Sequence, residues 1–338
     1  MSLAYPFPEV PAAGTALEVA PGIHWLSMPL PFQLDHINLW LLDDEEGGNE
    51  GWTVVDTGIG NPQTRSLWEK ILHKTVQRVI LTHYHPDHAG NAAWLCQRYN
   101  AELWTTQGEY LTAHAVRSSS AGYTADAVLS VFRKNGLDEE RAARMRAPRN
   151  RYAELVPDFP VSYRRIIEDD EIRIGQHRWR ALVGHGHAPE HLSLYSSSLN
   201  AVIAGDMLLS TISTNVSVWS IDPEGDPLRL FLDSIARYRE LPADVLVLPS
   251  HGKPFRGAHE RVAQLEEHHN ARLAELSDAL KTPKSAADLL GVLFRRPLDA
   301  HQTFFAMGEA IAHLHYLYYA GEAKRSRGAD GIMRYAAS

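Results

Sequence analysis

Cysteine is nearly missing from this sequence. The single Cys96 among 338 residues can form no intramolecular disulfide. That excludes a disulfide-stapled scaffold and makes a reducing, cytoplasmic setting the expected one. Long apolar runs are missing too: no stretch of about 18 apolar residues occurs, so no membrane span is expected. Residues 1–20 show no basic segment leading into an apolar one, so no secretory leader is expected there. Basic residues are in the minority. The 33 Lys and Arg against 41 Asp and Glu leave a formal net charge of -8 and an isoelectric point near 6.1. This argues against non-specific nucleic-acid binding by the whole chain. Hydrophobic residues at 44% and charged residues at 22% exclude a disordered chain, a collagen-like repeat and a coiled-coil rod. What is in excess is histidine: 18, against 9 Phe, 8 Trp and 6 Met. Imidazole is the commonest metal ligand, so whether these residues cluster is the question the composition raises.

At roughly 150 residues per domain, the length predicts about two domains. Short apolar strands alternate with turn signals over residues 22–205. Ile37–Leu42 and Trp52–Val55 flank a Gly-containing acidic loop, as in a hairpin. A solvated turn is expected for its Asp43, Asp44, Glu45, Glu46 and Glu50. Val79–Thr82, a helix over 91–99 and a strand over 102–105 then predict an α/β layer structure. From 107 to 160 strand signals vanish, and a helical insertion is expected. Its basic run is Arg141, Arg144, Arg146, Arg149 and Arg151; Leu129, Val131, Phe132 and Leu137 are expected as its core or as pocket lining. Strands resume at 171–174, 179–183, 192–195 and 201–204. A helix is predicted over 226–241, with Asp226-Pro227 as its cap, and a strand over 244–248. Beyond Gly257 the pattern is almost all helical to Tyr319. The predicted division is therefore residues 1–257, containing the insertion, and a smaller domain over 258–338.

The histidines are clustered. His83-Tyr84-His85-Pro86-Asp87-His88 follows one apolar strand, and His185-Gly186-His187-Ala188-Pro189-Glu190-His191 follows another. Gly205-Asp206 and Ser250-His251-Gly252 follow two more. Seven histidines, His83, His85, His88, His185, His187, His191 and His251, thus sit in three loops at strand ends, where α/β sheets carry their sites. Pro86 stiffens its loop, and Gly90 lets the next helix begin close by. His268, His269, His313 and His315 lie in helical segments, where surface or packing roles are expected.

These residues closely resemble the metallo-β-lactamase-fold hydrolase superfamily. The His-x-His-x-Asp-His motif stands at residues 83–88. Asp56 in Val54-Val55-Asp56-Thr57-Gly58, His187, Asp206 and His251 follow the family's order over residues 20–255. The resemblance implies a four-layer αββα fold and two divalent metal ions, zinc first, with iron or manganese as alternatives. It implies His83, His85 and His187 at one metal, Asp87, His88 and His251 at the other, and Asp206 bridging them. Two such metals would share a hydroxide that attacks a polarised carbonyl. Asp87 or Asp206 would accept a proton. His191 either helps at the substrate or packs beneath the strand. Asp56 either orients a ligand histidine or simply forms the turn before Gly58.

Asp at 206 and Ala89 after His88 resemble the glyoxalase II, lactonase and RNA-cleaving branches rather than the antibiotic-hydrolysing classes. Three helices and a turn between short strands after residue 258 resemble the winged-helix extension of one group of these hydrolases. Lys324, Arg325, Arg327 and Arg334 could serve nucleic acid there, but packing, homodimer formation or walling of the active site is the favoured expectation. The insertion could act as a lid, its arginines meeting an anionic group. The resulting expectation is hydrolysis of an acyl bond (thioester, ester or lactone) in a small molecule. A di-metal endoribonuclease or phosphodiesterase is the alternative, and no membrane partner is expected.

Overall fold

The computed structural model describes residues 3–338 apart from Gln33, Ala121 and residues 146–149. Among the described residues the chain opens with four strands, β1 (Ala16–Ala20), β2 (Ile23–Pro29), β3 (His36–Glu46) and β4 (Asn49–Val55). Next come α1 (Pro62–Ile71), β5 (Thr75–Ile80), α2 (Pro86–Ala89), α3 (Ala92–Tyr99) and β6 (Glu102–Thr105). Four helices follow, α4 (Gln107–Arg117), α5 (Ala125–Lys134), α6 (Glu139–Met145) and α7 (Arg151–Leu155). Then come β7 (Arg164–Arg165), β8 (Glu171–Ile174), β9 (His177–Gly184), β10 (His191–Ser196), β11 (Ala201–Gly205), α8 (Pro227–Ala236) and β12 (Leu246–Pro249). The chain ends with α9 (Ala258–Ala279), α10 (Leu290–Leu293), α11 (Ala300–Tyr319), β13 (Ala323–Arg327) and β14 (Met333–Ala337).

Two sheets carry the fold. One runs β1-β2-β3-β4-β5-β6-β7 and the other β12-β11-β10-β9-β8. The β3–β4 hairpin closes through Gly47 and Gly48, both at positive φ (60° and 83°), as a tight two-residue turn requires. Period-two alternation sorts β3: Ile37, Leu39 and Leu41 face one core, Trp40 and Leu42 the other. The first core packs Trp68 of α1 and Leu95 of α3 against the seven-stranded sheet. The second lies between the sheets, where Trp25, Trp40, Val55 and Ile80 meet Trp179, Leu192, Leu194, Ile203 and Leu248. Each fully buried Leu or Ile there contributes roughly 1.5–3 kcal/mol. On β10 the inward Leu192 and Leu194 leave Ser193 facing outward, where its hydroxyl bonds Tyr238 at 2.7 Å. The order helix, sheet, sheet, outer layer is the expected αββα arrangement. One expectation fails: Asp44 is buried rather than solvated. It accepts Thr53 Oγ1 at 2.6 Å and Gly175 N at 2.8 Å, and pairs with Arg78 at 3.0 Å.

The chain divides into two compact units: Met1–Ser118 with Arg151–Thr214 and Ile235–Val262, and Ser119–Asn150 with Asn215–Ser234 and Ala263–Ser338. The last crossing falls between Val262 and Ala263. The expected insertion over 107–160 is itself divided: α4 and α7 stay with the first unit, whereas α5 and α6 belong to the second. The cause is packing. Phe132 meets Phe304 edge to face at 5.7 Å, and Ala287 N donates to Asn135 O at 3.1 Å. Gly136, at φ 92°, lies so close to Ser285 that a Cβ would collide with it. Leu129, Val131, Phe132 and Leu137 are buried.

The second unit's helices end in an antiparallel two-stranded hairpin, β13–β14. Asp299 and Gln302 form a capping box on α11. Two of the basic residues there have acidic partners: Arg325 meets Glu224 at 2.7 Å and Arg334 meets Asp330 at 2.6 Å, while Arg327 donates to the Gly331 carbonyl at 3.1 Å. Arg141 and Arg144 are likewise paired with Asp138 and Glu140. Arg146 and Arg149 lie outside the described residues. No helix among the described residues is long and apolar enough to cross a membrane.

Candidate metal centre

Parallel strands end together, so loops far apart in sequence meet at one edge. Asp56 follows β4, the 83–88 loop follows β5, His187 follows β9, Asp206 follows β11, and His251 follows β12. All lie in the first unit. The structure brings the seven expected metal residues into two groups, each with ligand atoms within 4.8 Å of one another. His83, His85, His187 and Asp206 form one, and Asp87, His88 and His251 the other.

Asp206 stands between the groups. Its Oδ2 is 3.4 Å from His187 Nε2 and 3.9 Å from His83 Nε2. Its Oδ1 is 3.6 Å from His88 Nε2 and 3.7 Å from His251 Nε2. Asp87 Oδ2 completes the second group, 3.4 Å from His251 Nε2 and 3.7 Å from His88 Nε2. In the first, His83 Nε2 lies 2.9 Å from His85 Nδ1 and 3.3 Å from His187 Nε2.

The donor set fits divalent cations. His88 Nε2 and Asp206 Oδ1 are buried with no hydrogen-bond partner, an arrangement that costs free energy unless something else is bound there. Charge points the same way. Burial opposes a positive His88, yet the Asp56, Asp87 and Asp206 carboxylates pull its pKa up to about 10. Burial would raise Asp206, but His251, His88 and His187 hold it well below the usual carboxylate range. The site calls for positive charge at His88 Nε2, which a cation can supply in place of a proton. On the other side, burial drives His85 down to about 3, so its ring nitrogens are free of extra protons.

The surrounding contacts fix the ligands. His88 Nδ1 bonds Asp56 Oδ2 at 2.8 Å. The same carboxylate accepts Thr82 N and Thr82 Oγ1, each at 2.8 Å. Of the two readings open for Asp56, orientation of a histidine is the one the geometry supports. Its φ of 62° is a left-handed conformation that Asp tolerates, and it turns the carboxylate back toward β5. His251 Nδ1 meets His36 O at 3.0 Å. Gly90 approaches the Gly58–Gly60 backbone where no Cβ would fit.

Of the two readings open for His191, packing beneath the strand is the one the geometry supports. It has no exposed surface from which to touch a substrate. Its Nε2 accepts Asp206 N at 3.0 Å, and its ring lies beneath Gly205, where a Cβ would collide with it. The residue packs under the strand and positions Asp206. His185 bonds Pro189 O through Nδ1 at 2.7 Å and stands outside both groups, so His187 is the member brought to the centre. His269, His313 and His315 are buried packing residues, not surface ones. Two roles escaped the sequence: Thr82 as the link between Asp56 and the loop, and Tyr152, whose hydroxyl donates to Tyr84 O at 2.6 Å. Neither stands in a pattern that announces chemistry.

Comparison with known proteins agrees with this geometry. A family model described as "Metallo-beta-lactamase superfamily" matches residues 33–251, and "Metallo-beta-lactamase-like, C-terminal domain" matches 273–338. The chain is 22% identical over 304 residues to a "Probable metallo-hydrolase YqjP" of Bacillus subtilis (strain 168), covering 86% of this chain and 91% of that protein. A beta-lactamase domain protein from Burkholderia ambifaria is 48% identical at a TM-score of 0.93, covering 99% of this chain and 98% of that one. A metallo-beta-lactamase family protein from Thermus thermophilus is 29% identical at a TM-score of 0.80, covering 95% of this chain and 100% of that one. The family supports hydrolase activity, and the His and Asp groups suggest divalent metal binding. The chain belongs to the metallo-beta-lactamase superfamily.

Proposed function

We propose that this protein is a metal-dependent hydrolase that holds two divalent cations and cleaves an acyl bond in a small-molecule substrate. The observation that carries this reading is the two-sided placement of Asp206, one carboxylate oxygen toward each ligand group. His83, His85 and His187 would hold one cation, Asp87, His88 and His251 the other, and Asp206 both. Mixed imidazole and carboxylate donors favour zinc, with iron or manganese as alternatives. Bound there, the pair would supply Lewis-acid polarisation of a carbonyl and an acidified water at neutral pH.

The chain's own residues supply the rest. Asp56 fixes the ring of His88 through Nδ1, and His191 fixes Asp206 through its backbone. Asp87 is the more exposed of the two ligand carboxylates, 17% against 11% for the Asp206 side chain. Its carboxylate is the one placed to take up the proton that the attacking water gives up. One relative, 22% identical over 228 residues, is named hydroxyacylglutathione hydrolase, which supports a thioester ahead of an ester or lactone. The pairing of Arg325 and Arg334 with acids weakens a phosphodiester or RNA substrate.

The test is metal analysis of purified protein, followed by thioesters, lactones, aryl esters, phosphodiesters and RNA offered to the reconstituted enzyme. About two ions per chain and turnover of an acyl substrate are expected. Fewer than about one ion per chain, or cleavage confined to phosphodiesters or RNA, overturns the reading.

A further inference from the structure

Glu109 belongs to neither ligand group, yet it is 1% exposed in the first turn of α4. A carboxylate buried that deeply is costly unless its oxygens are satisfied. Here each oxygen takes one backbone N–H. Oε2 accepts Tyr84 N at 2.9 Å, and Oε1 accepts Glu190 N at 2.7 Å. Tyr84 stands between His83 and His85, and Glu190 between His187 and His191. One side chain therefore ties together the two loops that bring all three histidines of the first group.

Both ends of this tie are held from other directions as well. The carbonyl of Tyr84 accepts the Tyr152 hydroxyl at 2.6 Å. The carbonyl of Glu190 accepts Thr106 Oγ1 at 2.7 Å, and its carboxylate accepts Gly108 N at 2.7 Å. Gly108 admits this approach narrowly, since a Cβ there would lie 3.0 Å from Glu190 Cγ and Cδ. The N-terminus of α4 thus grips the second loop at three points and the first at one.

We propose that Glu109 is a positioning residue, a carboxylate clamp that sets the spacing of the His83–His85 and His187 loops and so the affinity and geometry of the first ligand group toward its cation. The proposal rests on the metal-hydrolase reading. Both N–H groups are fixed donors, so the clamp needs two acceptors. Glutamine offers one carbonyl oxygen and one NH₂, and the NH₂ must face one of the two N–H groups. Aspartate keeps two oxygens but is a methylene too short to reach both loops.

The experiment compares wild type, Glu109→Gln and Glu109→Asp after loading with cobalt(II). The readouts are competition against a chelator, the visible spectrum of the bound ion, and thermal unfolding of the metal-free protein. Burial pushes the Glu109 carboxyl up, to about 8, against the pull of the two N–H groups. The comparison is therefore made about one pH unit higher, where the carboxylate is ionised. Both variants are expected to bind one equivalent roughly 10–100-fold more weakly and to give an altered cobalt spectrum. A variant that unfolds even without metal is read through the other. Wild-type affinity and an unchanged spectrum in a folded variant overturn the clamp. Wild-type protein that takes up no cobalt overturns the metal-hydrolase reading, and the clamp with it.

Discussion

His83 and His88 in the first unit and His269 and His313 in the second are equally deep, at 0–1% exposure, but their surroundings differ. The first pair follows the end of β5, His88 within α2, with Asp56, Asp87 and Asp206 within 4 Å of one or both rings. The second pair sits on α9 and α11. His269 Nδ1 lies 3.2 Å from His313 Nε2, and His313 Nδ1 meets Glu309 O at 2.8 Å. Phe231 packs edge to face on His269 at 5.8 Å. Burial drives His269 down to about 3 and His313 to about 4, and burial with the surrounding histidines holds His83 well down too; His88 alone of the four, with three carboxylates around it, is pulled up, to about 10. Depth alone leaves an imidazole neutral; three carboxylates aimed at His88 favour positive charge there, while His83 keeps an unprotonated ring beside Asp206.

Removing the shared carboxylate is the hardest blow to this contrast. Asp206→Ala is expected to release the metal and abolish hydrolysis while the circular dichroism spectrum stays native. Activity equal to wild type would reject the site assignment. A weaker change is Asp56→Asn, which replaces an oxygen facing His88 Nδ1 and Thr82. It should loosen metal binding by roughly 10–100-fold, as read by chelator competition. Retained affinity would reduce Asp56 to a turn former.

The other half of the contrast is tested at the helical pair. His269→Leu should leave metal content untouched, and it strands His313 Nε2 at a cost of about 1–3 kcal/mol. The pH profile has a defined sign. Both histidines titrate lower when folded than their ordinary 6.5, so the unfolded chain binds more protons in acid. Their contribution is complete above 6.5 and is lost as pH falls toward 4 and then 3. Glu309, pushed up to about 7 by burial, acts oppositely, losing stability as pH rises from 4.5. Denaturation midpoints should therefore drop less steeply on acidification in His269→Leu than in wild type. Identical slopes would show that the pair is not the source.

Much of the fold was legible in the sequence because the signals are local. Strand β6 at 102–105 and β8 at 171–174 fall where the apolar runs place them, and the hairpin turn at Gly47-Gly48 is written in two residues. The helix expected over 226–241 is shorter and ends in a 3-10 turn at Arg237–Glu240. Strand β1, at Ala16–Ala20, precedes the segment over 22–205 in which strands were expected. Residues 119–150 read as an insertion in the first domain because nothing within them says that Phe132 meets Phe304 or that Gly136 lies under Ser285.

The ligand types, their order and their attachment to strand ends were determined by the sequence alone, since each motif is contiguous and follows its own strand. Tertiary structure decided how those motifs share atoms. It turned the two oxygens of Asp206 toward different groups, put His191 beneath the strand instead of beside a substrate, and made Glu109 a tie between two loops. These are contacts between residues separated by as many as 123 positions, as between His83 and Asp206. No periodicity encodes them, because they exist only after the strands have brought their ends together.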